Sequence, residues 1–369
     1  MAAYLPLSFA VRLRRAAPGL FAMNTGARNI LVIGPSWVGD MVMSQVLYRY
    51  LWQTRPGVAI DVLAPAWSQP LLQRMPEVRS AIVMPVGHGE LGLGRRWRLG
   101  RELRLRQYDQ ALLLPNSLKS ALVPAIAAIP RRTGWRGEMR YGLVNDRRLL
   151  DEQALPLMVQ RFVALAQAPG EPVPAQLPQP RLAVDADQAG RCRERAGIAA
   201  DRPLLALCPG AEFGGAKRWP ADYFGELALR YIERGWQVAL FGSANDQPVT
   251  AAIRAHCGHH RDCIDLAGRT QLAEAVDLLW LATAVVSNDS GLMHIAAALA
   301  RPLVVIYGAT SPGFTPPLND NAAIVASDID CAPCFQRECP LGHHRCMRYT
   351  PMERVAGELE ALLAGGVSG

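Results

Sequence analysis

Ile30-Leu31-Val32-Ile33-Gly34-Pro35-Ser36-Trp37-Val38-Gly39-Asp40 runs from a short apolar segment through a glycine turn into the apolar-rich 41–51. That order reads as buried strand, turn and helix, the place where an α/β protein puts ligand chemistry. Gly34 and Gly39 have the spacing of a phosphate-binding P-loop, but Asp40 and Met41 stand where that loop carries Lys and Ser or Thr. A carboxylate there repels phosphate, so the P-loop reading fails on charge. What remains is an acid at the mouth of a helix, either an N-cap or a catalytic base.

Working outward, further strands are expected at Ile60–Ala64, Ala81–Pro85 and Ala111–Pro115. Helical patterns at Ser68–Arg74, Arg95–Arg106 and Leu118–Ala128 separate them. The alternation predicts parallel βαβ units with buried strands. Five prolines between Pro169 and Pro180 then exclude helix and central strand and mark a linker over 169–181. The alternation resumes with strands at Leu204–Cys208, Val238–Phe241, Ala284–Ser287 and Leu303–Tyr307. Helices are expected at Tyr223–Glu233, Leu272–Leu281, Leu292–Leu299 and, amphipathic, Pro351–Leu363. Each of the four later strands ends in a polar or glycine turn, and ligands of open α/β sheets bind at such carboxyl ends.

The 369 residues suit two domains of ordinary size, and no apolar run is long enough to span a bilayer. Residues 1–180 carry 22 Lys+Arg against 11 Asp+Glu, whereas residues 181–369 carry 17 against 21. The first half is therefore expected to meet something anionic. Arg95–Arg106 reads as a basic helix, and Arg131–Arg140 as a loop-like basic cluster with aromatics interleaved. The first 22 residues lack the apolar core of a signal peptide, and a disordered tail is expected over 1–28, with an amphipathic anchor as the alternative.

In the second half, Asn288-Asp289-Ser290-Gly291-Leu292-Met293-His294 opens a helix whose free N–H groups attract an anion. The alternative is a capped helix with His294 packed. Lys217-Arg218-Trp219-Pro220 follows the glycine-rich 210–215, where Lys217 can neutralise a diphosphate. Cys331, Cys334, Cys339 and Cys346 offer four thiols to a structural metal, although the spacing is neither two tight knuckles nor a common iron–sulfur run. Two Asp-x-Asp triplets, at 185–187 and 328–330, follow no convincing strand and are discounted.

These segments form a recognisable series. Leu31–Met41, Gly87-His88-Gly89, Leu114-Pro115-Asn116-Ser117-x-Lys119-Ser120-Ala121, 132–142, Cys208–Phe213 with Ala216–Pro220, and Asn288–His294 follow one another in that order. Together they resemble the ADP-heptose:lipopolysaccharide heptosyltransferases of glycosyltransferase family 9, type II. The resemblance runs from about Asn29 to the C-terminal helix. It implies a GT-B fold: two Rossmann-like α/β domains, 29–168 and 182–350, with parallel sheets facing across a cleft. A C-terminal helix within 351–369 is implied to cross back to the first domain.

The activity implied is inverting transfer of L-glycero-D-manno-heptose from ADP-heptose to the first heptose of the lipopolysaccharide inner core. It is implied to need no cofactor, and to occur at the cytoplasmic face of the inner membrane. Nucleic acid is not an expected partner, and a monomer is expected. Alternatives are type I addition of the first heptose and a nucleotide-sugar epimerase on the same fold. Carried onto this sequence, the catalytic base falls on Asp40. The donor site falls on Lys217, Gly210, Glu212, Gly242, Ser243, Asp289, Ser290, Gly291 and His294. The acceptor site falls on Trp37, Gly39, Lys119, Arg136 and Arg140. On this view Gly34 and Gly39 let the acceptor sugar approach the backbone. The cysteine cluster occurs only in some members of the family.

Overall fold

The structure, a computed structural model, describes residues 28–87 and 89–365. The expected N-terminal tail, apart from Arg28, and His88 of the Gly87–Gly89 motif lie outside them. The first unit consists of β1 (Asn29–Ile33), α1 (Val38–Thr54), β2 (Ala59–Ala64), α2 (Gln69–Leu72), β3 (Val78–Val83), α3 (Leu93–Arg104), β4 (Gln110–Leu113), α4 (Leu118–Ile126), β5 (Arg131–Trp135), β6 (Asp146–Arg148) and α5 (Met158–Ala164). The proline-rich 169–181 that follows contains no strand or helix. The second unit consists of α6 (Ala186–Ala196), β7 (Leu204–Cys208), α7 (Ala221–Glu233), β8 (Gln237–Leu240), α8 (Gln247–His256), β9 (Cys263–Asp265), α9 (Leu272–Leu281), β10 (Ala284–Asn288), α10 (Gly291–Ala298), β11 (Leu303–Tyr307), β12 (Ala322–Ala326), α11 (Arg345–Arg348) and α12 (Met352–Gly365).

Both sheets are six-stranded and parallel, ordered β3-β2-β1-β4-β5-β6 and β12-β11-β10-β7-β8-β9. Each is the doubly wound order in which the chain reverses direction between the first and fourth strands of the unit. Asp40 follows β1, Lys217 follows β7 and Asn288–His294 ends β10 and opens α10, so all three lie at such reversal points. The central strands are apolar because helices cover both faces; β7, β10 and β11 are buried at every residue.

The units share one buried cluster. Met41, Val42 and Val46 of α1 belong to it together with Met293, Ile295 and Ala297 of α10. A buried ion pair between Arg74 and Asp277, 2.7 Å apart, also crosses between them.

Two expectations are corrected. Arg131–Trp135 is a strand, paired with β4 and β6, and not a loop. Its arginines are satisfied locally: Arg131 pairs with Asp146 at 3.0 Å, and Arg132 donates to the carbonyl of Leu143. The C-terminal helix does not leave the second unit to cover the first. Val355, Ala356 and Leu359 of α12 are buried in one cluster with Val304, Ile306 and Val325, and Glu360 pairs with Arg230 and Arg234 of α7. Its apolar stripe is used up on the second sheet.

Candidate functional site

The opening turn is built differently from its sequence reading. Trp37, not Asp40, is the N-cap of α1, and no side chain caps the helix. Asp40 is the third residue of the first turn and is half-buried. Burial pushes its carboxyl up to about 6; Lys217 across the cleft pulls it down and Asp289 pushes it up. A carboxylate with that value is ionised at neutral pH yet basic enough to take a proton.

The glycines of the turn make room for neighbouring protein side chains. A β-carbon at Gly34 would lie 3.0 Å from Cε of Met41 and 3.2 Å from Cβ of Ala64. One at Gly39 would lie 2.6 Å from Cδ2 of His294 in the other unit. The contact is reciprocal, since a β-carbon at Gly291 would lie 2.7 Å from Cβ of Val38. Two helix N-termini thus meet through a glycine on each side, and Asp40 sits at the junction. Gly39 is a seat for the His294 ring.

On the second unit, Asp289 accepts from Lys217 Nζ at 2.6 Å and from Thr310 Oγ1 at 2.5 Å. The Lys217 ammonium also stands 4.9 Å above the ring of Phe213. This fixes the cation at the cleft with one donor to spare, because an ammonium carries three and two go to the carboxylate and carbonyl of Asp289. Ser290 is the N-cap of α10 without a side-chain cap bond, which leaves the first-turn N–H groups for a ligand. His294 is buried, and that burial, with Lys217 nearby, lowers its imidazole to about 4 against the pull of Asp289. It is neutral at pH 7, so it can accept or donate a hydrogen bond but does not offset charge.

Three residues to which the sequence reading gave no role in the site hold this arrangement. Asn288 donates to the carbonyl of Pro209 at 2.7 Å and accepts from Trp219 N at 3.2 Å, tying both ends of the Lys217 loop to β10. Asp246 accepts from the backbone N and hydroxyl of Ser243 at 2.9 and 2.8 Å. Its carboxylate occupies the space where a β-carbon of Gly210 would stand, 2.5 Å away, and its Cβ lies 2.7 Å from that position at Gly242. The Ser243-x-x-Asp246 spacing is a capping-box pattern and was the available signal. Thr310 is the third, through its bond to Asp289. Glu212 is exposed.

On the acceptor side, Trp37 and Arg136 are exposed, and Lys119 donates to the carbonyl of Gly89 at 2.7 Å. Arg140 is corrected to a positioning role. It is 3 % exposed and donates to the carbonyls of Pro115 and Trp135, so its fork joins the loops after β4 and β5 instead of facing a ligand. In the cysteine segment, Cys339 is held below the ordinary thiol range by backbone N–H groups of 341–344. Cys346 is pushed up by burial and by the three other thiols. Among the described residues, no group of three or more His, Cys, Asp or Glu is arranged to hold a metal ion. Asp185 caps α6, accepting from the backbone N of Asp187 and Gln188.

Residues 96–345 match the family model described as glycosyltransferase family 9 (heptosyltransferase). The chain belongs to this family. Family 9 relatives include lipopolysaccharide heptosyltransferase 2 of Escherichia coli K12, 50% identical over 90% of this chain and 98% of that protein. Lipopolysaccharide heptosyltransferase 1 of Pseudomonas aeruginosa is 28% identical over 90% of the chain. The solved structure of E. coli ADP-heptose lipopolysaccharide heptosyltransferase II superposes with a TM-score of 0.83 at 48% identity, covering 92% of this chain and all of that one. The two parallel sheets are thus those of a GT-B heptosyltransferase, and the chain is a glycosyltransferase.

Proposed function

We propose that this glycosyltransferase moves L-glycero-D-manno-heptose from ADP-heptose to the first heptose of the lipopolysaccharide inner core, adding the second heptose. The observation that carries the reading is the meeting of Asp40 with Lys217, Asp289 and His294 at the junction of the two units. The type 2 reading is favoured over type 1 by 50% identity against 28%.

Asp40 accepts the proton of the acceptor hydroxyl as that oxygen attacks the anomeric carbon. The glycosidic bond to the diphosphate breaks on the opposite face, which inverts the configuration. Lys217 and the first-turn N–H groups of α10 receive the charge that develops on ADP. The ion pair with Asp289 keeps Lys217 aimed at the cleft until a diphosphate competes for it. Trp37, Lys119 and Arg136 face the acceptor, whose phosphates and acidic sugars suit the basic first unit. We place the reaction at the cytoplasmic face of the inner membrane. No helix among the described residues is long and apolar enough to cross a membrane, and the basic first unit suits a surface contact.

Incubation with ADP-heptose and a mono-heptosylated acceptor, followed by product mass and linkage, tests the proposal. Gain of one heptose is expected. Transfer only to an acceptor lacking heptose would overturn it in favour of the type 1 reaction, and conversion of the donor alone in favour of an epimerase.

A further inference from the structure

Lys217 and Arg218, the cations of the loop after β7, are both paired already. Lys217 gives two donors to Asp289, and Arg218 stands 3.7 Å from a carboxylate oxygen of Asp246. Asp40 adds a carboxyl group from across the cleft, and the buried His294 is neutral at pH 7. The diphosphate of a nucleotide sugar brings two negative charges to this place. When the glycosidic C–O bond breaks, the electron pair stays on the diphosphate and adds a third. These residues therefore leave the ligand short of positive charge, and phosphate held out of water needs charged donors.

A segment to which the mechanism gives no part supplies a further cation. Residues 335–338, between Cys334 and Cys339, run as a strap from the end of β11 to the Lys217 loop. At one end, the backbone N of Phe335 donates to the carbonyl of Ala309 at 2.7 Å, beside the Thr310 that holds Asp289. At the other, the carbonyl of Arg337 accepts from Ala216 N at 3.0 Å, and Glu338 accepts from Gly215 N at 3.1 Å. The loop is shaped for this contact. A β-carbon at Gly214 would overlap the Arg337 carbonyl, and one at Gly215 would lie 2.7 Å from the Glu338 carboxylate. The strap sets the Arg337 guanidinium 5.6 Å from the centre of the Phe213 ring, over which the Lys217 ammonium stands at 4.9 Å. Arg337 is exposed, and among the described residues no carboxylate pairs with it. Two cations gathered on one ring repel each other, and an anion that both can reach removes that cost.

We propose that Arg337 is a second cation of the donor site, reaching from the strap to the diphosphate beside Lys217 and taking up the charge that grows there as ADP leaves. This rests on the reading of the second unit as the ADP-heptose site. It gives the cysteine segment a use that does not depend on its thiols. The strap carries Arg337 to the cradle and ties the Lys217 loop to the end of β11. The planar fork of an arginine matches two phosphate oxygens, which a lysine meets as a point charge.

The test is calorimetric titration of the full chain with ADP at low and at high salt, for the wild type, R337M and R337K. Methionine keeps a straight stem over Phe213 without the charge, and lysine keeps the charge without the fork. R337M is expected to bind ADP about tenfold more weakly at low salt, the worth of one charge-assisted contact. The gap is expected to narrow at high salt, since Arg337 is exposed and screened. R337K is expected to stay within about threefold of the wild type. Because charge grows on departure, kcat/KM for ADP-heptose in R337M is expected to fall by at least the factor lost in affinity. Wild-type affinity or wild-type kcat/KM in R337M would overturn the assignment of Arg337 alone. So would an equal loss in R337M and R337K that salt does not change, because it would make the role one of packing. A wild type that binds no ADP would instead overturn the reading of the donor site itself.

Discussion

The two units share a strand order but spend the carboxyl ends of their strands in opposite ways. In the second unit the turns close on one another. Asp246 bridges the ends of β7 and β8, Asn288 ties the Lys217 loop to β10, and Asp289 links Lys217 with Thr310 beyond β11. In the first unit the loops after β3, β4 and β5 are also joined, by Lys119, Glu138 and Arg140, but their apolar and basic tips stay exposed. A rigid polar cradle suits one small, highly charged ligand. An open, basic and apolar edge suits a bulky amphiphile. Under the proposed function, one scaffold serves two ligands by the side chains at its strand ends, not by its topology.

Asp40 is the point where the comparison can be broken most sharply, because it belongs to the first unit but is tuned by the second. Asp40→Asn is expected to lower kcat by about 10²–10⁴-fold while leaving ADP-heptose affinity within about twofold. Near-normal turnover would show that the base lies elsewhere. With Asp40 as the base, wild-type kcat/KM falls about tenfold per pH unit below a pH near 6, the value to which burial lifts its carboxyl. A limb near pH 4 would separate Asp40 from the proton transfer.

The reciprocal glycines test whether the two units must meet. Gly39→Val drives side-chain atoms into the His294 ring, which a single β-carbon would already approach to 2.6 Å. About a 100-fold loss of kcat/KM is expected, since misplacing the base by about 1 Å costs that much. ADP binding, confined to the second unit, is expected to persist. Equal loss of ADP affinity would show that the units do not divide the ligands in this way.

Lys217→Ala is expected to weaken ADP binding about 10–100-fold, the worth of a charge-assisted contact of about 1.5–3 kcal/mol. Calorimetry decides it, and an unchanged affinity would remove Lys217 from the donor cradle. The freed Asp289 carboxylate keeps Thr310 as a partner, so the fold is expected to survive.

How far the sequence could foresee this division depends on the kind of interaction. The strand-rich alternation, the central strands and the linker were legible because parallel strands buried on both faces are written as apolar runs. Asp40, Lys217 and the start of α10 were legible as residues of unusual type at strand ends. The packing of Gly39 and the role of Arg140 were not foreseen because their partners are remote. Nothing near Gly39 in sequence announces His294, and nothing near Arg140 shows that its fork is taken by carbonyls. The strand character of Arg131–Trp135 was hidden by arginines whose partners, Asp146 and the carbonyl of Leu143, lie more than ten residues away. The destination of α12 was equally silent, since an apolar stripe does not name the sheet that it covers.

The smallest effect concerns stability, and it probes the junction without substrate. Asp40 has its folded pKa raised from 3.8 to about 6, so folding takes up a proton there and its contribution is lost as pH rises through 6. His294 is lowered from 6.5 to about 4, so its contribution is present above 6.5 and lost as pH falls through 4. Between about pH 4 and 6 the two slopes oppose each other, and the wild type is expected to show little net dependence from this pair. Asp40→Asn removes one slope and leaves the other. Its unfolding free energy is then expected to rise with pH over that window by about 1 kcal/mol per unit, near the limit set by a single proton. Denaturant melts at pH 4.5, 5.5 and 6.5 measure this directly, about one proton at a time. Parallel curves for wild type and variant would mean that the junction opens in solution and that Asp40 and His294 titrate as surface groups.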